Sequence, residues 1–284
     1  MIKIHQFLFC ISVIIFFSCE KKIQNIPEYL YINSQENIDK YAHLFENAKS
    51  FEGEIVFNNS LTYDLSCMRN ITEIFPFLHV KSQAQLDAFE SLKIVGGLSL
   101  NDQNEYTVNN IEEINGLFLV SNVRIVNAPS LKRVDQFYTN THLEVLGDFS
   151  NIETIGKFWM QYPTVLNKIE DFSKLRSVGD FRLDLGKINI LKNAFSSLRN
   201  VDIFYLTYFE EEKFDLEWVS GIEDFKDFGL AGSFEKQEIC QYIFPIRNNA
   251  SNEFYVSPSL ELKDSLGLNI YDSLDPLAVE KLCE

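Results

Sequence analysis

A short apolar pattern recurs along most of this chain and constrains its fold more than any other feature. An apolar residue is followed by a second one three places on, then by a glycine or small polar residue, then by two apolar residues at a spacing of two. Seven copies begin at Leu92, Ile111, Leu131, Ile152, Leu175, Leu198 and Ile222. Their starts are 19 to 24 residues apart. This period is typical of a solenoid and is too short for a repeat of paired helices.

Each copy ends in alternating apolar residues, which predicts a β-strand. In the fifth copy the four apolar positions are Leu175, Val178, Phe181 and Leu183. The segments between copies carry further apolar residues, so each turn has at least two apolar faces that neighbouring turns must cover. The sequence therefore predicts a mainly β fold in which successive repeats stack in register. Before the repeats, Ser34 and Ser82 are predicted to cap two short helices.

The composition and net charge indicate a globular protein and exclude one class of partner. Hydrophobic residues make up 46% of the 284 residues, enough for a substantial core. The formal net charge is −16. Because phosphate binding needs a basic stripe and none is present, we expect no nucleic-acid partner.

The start of the chain has the features of an export signal. Lys3 precedes an apolar run at residues 7–17, which is too short to span a bilayer. Phe16-Phe17-Ser18-Cys19 resembles the lipobox of bacterial lipoproteins. That resemblance implies a signal peptide at 1–18 and lipid on Cys19. We therefore expect the mature chain on the cell envelope, anchored in the outer membrane, where exposure at the cell surface is one of the arrangements open to it. Phe16 stands where Leu is commoner, so an ordinary signal peptide is the alternative.

The remaining cysteines are Cys67, Cys240 and Cys283. Exported proteins can form disulfides, and Cys240 and Cys283 bracket the C-terminal segment, so they are the expected pair. Cys67 lies in an apolar context, Leu65-Ser66-Cys67-Met68, and is expected to be a buried thiol.

The repeats resemble those of a known family. Glu52-Gly53-Glu54-Ile55 is similar to the opening strand of receptor L domains, and Val95-Gly96-Gly97-Leu98-Ser99-Leu100 to their commonest turn. The similarity covers about residues 32–231. It implies a right-handed, leucine-rich-like β-helix of about eight or nine coils with N- and C-terminal caps, as in lipoproteins of the Bacteroides group. The domains expected are a tether at 19–31, the solenoid at 32–236 and a C-terminal cap at 237–284.

If the spaced apolar residues of each strand point inward, the residue between them points outward. This predicts an outward column of Ser99, Phe118, Tyr138, Trp159, Arg182, Tyr205 and Gly229. Polar residues flank it, namely Gln136, Lys157 and Asp180 on one side and Asn140, Gln161 and Asp184 on the other.

Aromatic rings in a row on a sheet face favour ligand binding. We therefore expect Phe118, Tyr138, Trp159, Arg182 and Tyr205 to bind a glycan or a protein ligand. The alternative is a structural or scaffold lipoprotein of the envelope, without a ligand site.

Catalytic motifs are missing from the sequence. Outside the predicted signal peptide the histidines are at positions 43, 79 and 142, and they have no metal-ligand spacing. No nucleophile elbow, phosphate loop or dinucleotide motif is present. We expect no enzyme activity, no catalytic residue, no metal and no cofactor.

Overall fold

The structure is a computed structural model. It describes residues 27–102, 105–139, 142–160, 166, 168–185, 189–190, 194–208, 216–232, 234–269 and 272–284. The predicted signal peptide and Cys19, the predicted site of lipid attachment, lie outside these ranges. In the part of the chain that is described, no helix is long and apolar enough to cross a membrane.

The described chain is mainly β. Its strands are β1 (Tyr29–Ile32), β2 (Ser50–Glu52), β3 (Glu54–Phe57), β4 (Glu73–Phe75), β5 (Leu78–Val80), β6 (Ile94–Val95), β7 (Leu98–Asn101), β8 (Glu105–Thr107), β9 (Glu113–Ser121), β10 (Ile125–Asn127), β11 (Arg133–Thr139), β12 (Val145–Asp148), β13 (Thr154–Met160), β14 (Lys168–Asp171), β15 (Ser177–Leu185), β16 (Asn189–Ile190), β17 (Asn200–Tyr208), β18 (Asp224–Gly232) and β19 (Ala250–Ser257). The α-helices are α1 (Gln35–Phe45), α2 (Gln83–Asp87), α3 (Lys236–Glu238), α4 (Leu260–Leu266) and α5 (Pro276–Cys283). A π-helical turn at Ile239–Ile243 and short 3-10 helices at Ser66–Met68, Glu217–Gly221 and Phe244–Ile246 complete the elements.

Within the described ranges the strands form two parallel sheets. The larger one has fourteen strands, and its main path runs β1-β3-β5-β7-β9-β11-β13-β15-β17-β18-β19. The smaller one has five strands in the order β16-β14-β12-β10-β8 and is built from the segments that link the repeats. Parallel pairing of successive repeats is compatible with the predicted solenoid.

Equivalent residues of the repeats become neighbours in the large sheet. Phe158 pairs with Phe137 on one side and with Phe181 on the other. The inward rings of Phe137, Phe158, Phe181, Phe204 and Phe228 stack in one row, with centroids 5.2 to 5.4 Å apart and planes within 16° of parallel. Phe149, Phe172 and Phe195 pack against this row edge-on. The prediction of in-register stacking is confirmed here.

The two predicted helix caps are confirmed. The Ser34 side chain accepts a hydrogen bond from the Asn37 backbone N–H at the start of α1. Ser82 does the same for Gln85 at the start of α2. Both caps satisfy one of the free N–H groups of a first helical turn.

The second repeat departs from the predicted register. Between the pairs Ile114–Val134 and Leu117–Gln136, β9 contains one more residue than β11. The extra residue reverses the facing of the rest of β9. Phe118 and Val120 are therefore buried, and the Leu117 side chain, predicted to point inward, is half-exposed.

Both ends of the large sheet extend past the predicted boundaries. Strand β1 begins within the predicted tether and pairs with β3. Strand β19 lies within the predicted cap and continues the sheet beyond β18. The expected disulfide is present and joins Cys240 to Cys283 across 43 residues. Cys67 is free and half-buried, and desolvation raises the pKa of its thiol.

Glycines in the template position let neighbouring strands approach closely. A Cβ on Gly179 would lie 2.5 Å from the carbonyl oxygen of Gly156, and one on Gly156 would lie 2.4 Å from that of Asp135. Because the opposing atoms belong to the backbone, neither site can accept a methyl group without moving a strand.

We expect Gly179→Ala to lower the free energy of unfolding by about 1–3 kcal/mol, since the added methyl overpacks the contact with the next strand. Urea unfolding measures this loss. Gly221→Ala is the matched control, because its nearest neighbour is the flexible Arg199 side chain at 3.3 Å. Equal losses in both variants would contradict the close-approach argument.

Candidate ligand-binding face

One column of side chains crosses the outer face of the large sheet. Parallel register aligns it through Leu119, Tyr138, Trp159, Arg182, Tyr205, Gly229 and Tyr255. We call the part from Tyr138 to Tyr255 the ladder. It covers six strands, which is about 24 Å at the usual strand spacing.

The ladder residues point away from the core because their chain neighbours point into it. Phe158 and Met160, on either side of Trp159, are buried. The same holds for the residues beside Arg182 and Tyr205. Tyr138, Trp159, Arg182 and Tyr205 are themselves half-exposed. Their outward orientation was predicted correctly, whereas ligand binding stays a prediction.

Phe118 does not belong to this column. Its side chain has 0% exposure and stacks edge-on against Phe137 in the core, 5.2 Å away between centroids. The bulge in β9 is the reason, and Leu119 takes the outward position instead. The placement of Phe118 on the binding face was therefore wrong.

Tyr255 is a ladder member that sequence reasoning missed. It lies on β19, in the segment predicted as a cap. The alternation of Phe254, Tyr255 and Val256 is a strand signal, but the first half of the repeat template does not precede it. A search for alternation alone would have found the strand.

Arg182 is held in place from three directions. Its Nε donates a hydrogen bond to Asp180 Oδ1 at 2.7 Å. Its guanidinium carbon lies 5.2 Å from the Trp159 ring centroid and 5.1 Å from that of Tyr205. The hydrogen bond to Asp180 raises the pKa of Arg182. The cation is thus fixed between two aromatic rings while 41% of its side chain stays exposed.

Gly229 lets two tyrosines meet across an intervening strand. A Cβ there would lie 2.4 Å from Tyr205 Cδ1 and 2.5 Å from Tyr255 Cζ. With no side chain between them, the two rings approach to 5.9 Å and are tilted by 37°. Partial burial raises the pKa of both phenols, and the nearby Glu253 carboxylate contributes in the same direction. Both tyrosines are therefore neutral at physiological pH.

Trp159 sits at the other end of this group. Lys157 Nζ lies 5.3 Å from its ring centroid. The indole Nε1–H is buried and has no hydrogen-bond partner among the described atoms. A buried donor without a partner costs about 1–3 kcal/mol.

Polar residues follow the ladder on both sides. Gln136, Lys157, Asp180, Asp227 and Glu253 lie two residues before its members, and Asp184 and Thr207 lie two residues after. The predicted flanking residues Asn140 and Gln161 lie outside the described ranges.

Toward the first strands, the column continues through residues other than exposed aromatic rings. It passes through Ser99, which is buried, and reaches His79. His79 stacks on Phe77 at 4.4 Å and its Nε2 lies 2.9 Å from Glu54 Oε1. Desolvation lowers the pKa of His79 despite the carboxylate. At this end Ser99 is buried and His79 is already bound to Phe77 and Glu54, so we centre the candidate site on the ladder.

The chain matches no protein-family model, no curated protein and no solved structure. Among the described residues, no three His, Cys, Asp or Glu side chains group to hold a metal ion. The ladder geometry is thus the basis for a functional proposal.

We expect Asp180→Asn to lower the free energy of unfolding by about 1–2 kcal/mol, because the neutral amide weakens the hydrogen bond from Arg182 and leaves the guanidinium without its counter-charge at a nearly buried position. Urea unfolding gives the value. Asp184→Asn, on the same strand and face, is the matched control and should change stability by less than about 0.5 kcal/mol. A loss from Asp184→Asn as large as that from Asp180→Asn would show that Arg182 does not depend on Asp180.

Proposed function

We propose that this chain is an exported, membrane-anchored binding or adhesion module that recognises a glycan or protein ligand on the ladder. Its fold in this proposal is a right-handed β-solenoid of the receptor L type, with about eight or nine coils and a cap at each end. It carries no catalytic activity. Lipid on Cys19 attaches it to the cell envelope. Labelling cells with a radioactive fatty acid tests this: the parent chain should be labelled and the Cys19→Ala variant should not.

The observation that carries the proposal is the composition of the ladder. Trp159, Arg182, Tyr205 and Tyr255 are the residue types most enriched at interface hot spots. Arg182 is already fixed by Asp180 and two rings, so binding costs little further ordering of that side chain.

The ladder is also positioned for recognition by side chains. Strands β11, β13, β15, β17 and β18 each have a hydrogen-bonded neighbour on both sides, so their backbone groups are occupied, whereas β19 lies at the edge of the large sheet. A ligand over the first five ladder strands must therefore contact the rings, the guanidinium and the flanking polar groups, because strand addition is restricted to sheet edges.

A structural role is the second candidate. It is favoured by the contacts within the ladder, since rings and guanidinium stack on one another and cross-strand pairs of this kind stabilise sheets. The buried Trp159 indole N–H, which has no partner among the described atoms, does not separate the two roles, because the core residue Trp218 has the same feature.

A glycan and peptide array, probed with the full chain in detergent, tests the binding proposal. For the ligands that bind, we expect Trp159→Ala to weaken binding by about tenfold or more, as for a central aromatic contact. Leu61→Ala is the control, because Leu61 is 60% exposed and lies off the ladder. A Trp159→Ala protein that binds as tightly as the parent but unfolds at lower urea would favour the structural role.

A further inference from the structure

We propose that the C-terminal half of the ladder docks a basic segment of a partner protein. A lysine or arginine side chain of the partner would sit beside Tyr205 and Tyr255 and face the carboxylates of Asp227 and Glu253. This inference rests on the binding function proposed above and names the chemistry of its ligand.

The two carboxylates have a geometry that favours an added cation. Asp227 and Glu253 are directly paired on β18 and β19, and each lies two residues before a ladder position on the same face. Glu253 is exposed and Asp227 is half-exposed. Among the described residues, neither carboxylate forms a hydrogen bond or ion pair with a cation. Because like charges on directly paired residues repel, a cation between them relieves that repulsion.

The tyrosines add a second attraction for a cation. A cationic group near an aromatic ring is attracted by the ring quadrupole, and more strongly when partly desolvated. The ladder already contains one such arrangement, in which the Arg182 guanidinium lies 5.1 Å from the Tyr205 ring centroid. Tyr255, on the far side of Gly229, is half-exposed and has no cation of this kind beside it in the described part of the chain.

The charge distribution gives the site a polarity. Lys157 and Arg182 lie on the Trp159 side of Tyr205, whereas Asp227 and Glu253 lie on the Tyr255 side, so a basic group is directed to the latter, away from both cations. Asp184 adds a further half-exposed carboxylate to the same face. The net charge of −16 for the whole chain would speed the approach of a basic partner.

A protein is the occupant that these features favour. Lysine and arginine provide permanent cations on the surface of proteins, whereas most sugars are neutral or acidic. The ladder's tryptophan, tyrosines and arginine also match the composition of protein-interface hot spots. An amino sugar is the remaining source of a cation and forms a separate arm of the test.

The probe is a short fluorescent peptide in which lysine alternates with serine, titrated into the full chain in detergent at physiological salt. We expect it to bind, and its Nε-acetylated counterpart to bind at least about tenfold more weakly, since acetylation removes the charge. The double variant Asp227→Asn, Glu253→Gln should also bind the lysine peptide about tenfold more weakly. The control Glu90→Gln, Glu261→Gln removes the same charge from exposed positions away from the ladder and should change binding less than about twofold.

Each other outcome overturns the inference. Equal weakening by the two double variants would mean that the peptide responds to net charge alone. Tighter binding of a glucosamine tetramer than of the peptide would assign the site to an amino sugar. If Trp159→Ala abolishes binding of an array ligand while Asp227→Asn, Glu253→Gln leaves it unchanged, the ladder binds ligands but takes no cation. If neither variant affects any ligand, the binding function itself falls.

Discussion

Lateral pairing between successive repeats is the interaction on which this molecule depends. Each repeat presents apolar residues that it cannot bury alone, and the next repeat covers them in the same register. The inward row of phenylalanine rings results from this, since residues about one repeat apart become neighbours. Their ring centroids are 5.2 to 5.4 Å apart. The same register that aligns the core also aligns the outer column. The core row and the candidate site therefore both result from the same sequence repeat.

Much of this architecture could be predicted from sequence. The apolar spacing placed Phe137, Phe158 and Phe181 in the core, and it placed Trp159 and Arg182 on the outer face. These positions are strongly specified, because a one-residue slip would exchange the two faces. The Cys240–Cys283 disulfide also followed from position, as both cysteines bracket the last segment.

The sequence was least informative where the chain departs from the repeat and where side chains contact one another. The extra residue in β9 leaves no clear mark in the spacing, because Leu117 and Leu119 are as apolar as the Phe118 and Val120 that replace them in the core. Tyr255 was missed because its strand lacks the first half of the repeat. Arg182 is fixed by Asp180 on its own strand and by rings on the two neighbouring strands, and the spacing of residues in the sequence does not show which of these contacts form.

The single outward position that each strand contributes has an evolutionary consequence. Duplication or loss of one repeat would lengthen or shorten the outer row by one strand spacing, about 4.8 Å, while leaving the pairing of all other repeats intact. A point substitution between two inward residues would alter the surface at one step of the row without touching the interior. Such a scaffold can change the reach and the chemistry of its outer row independently, and neither change requires a new fold.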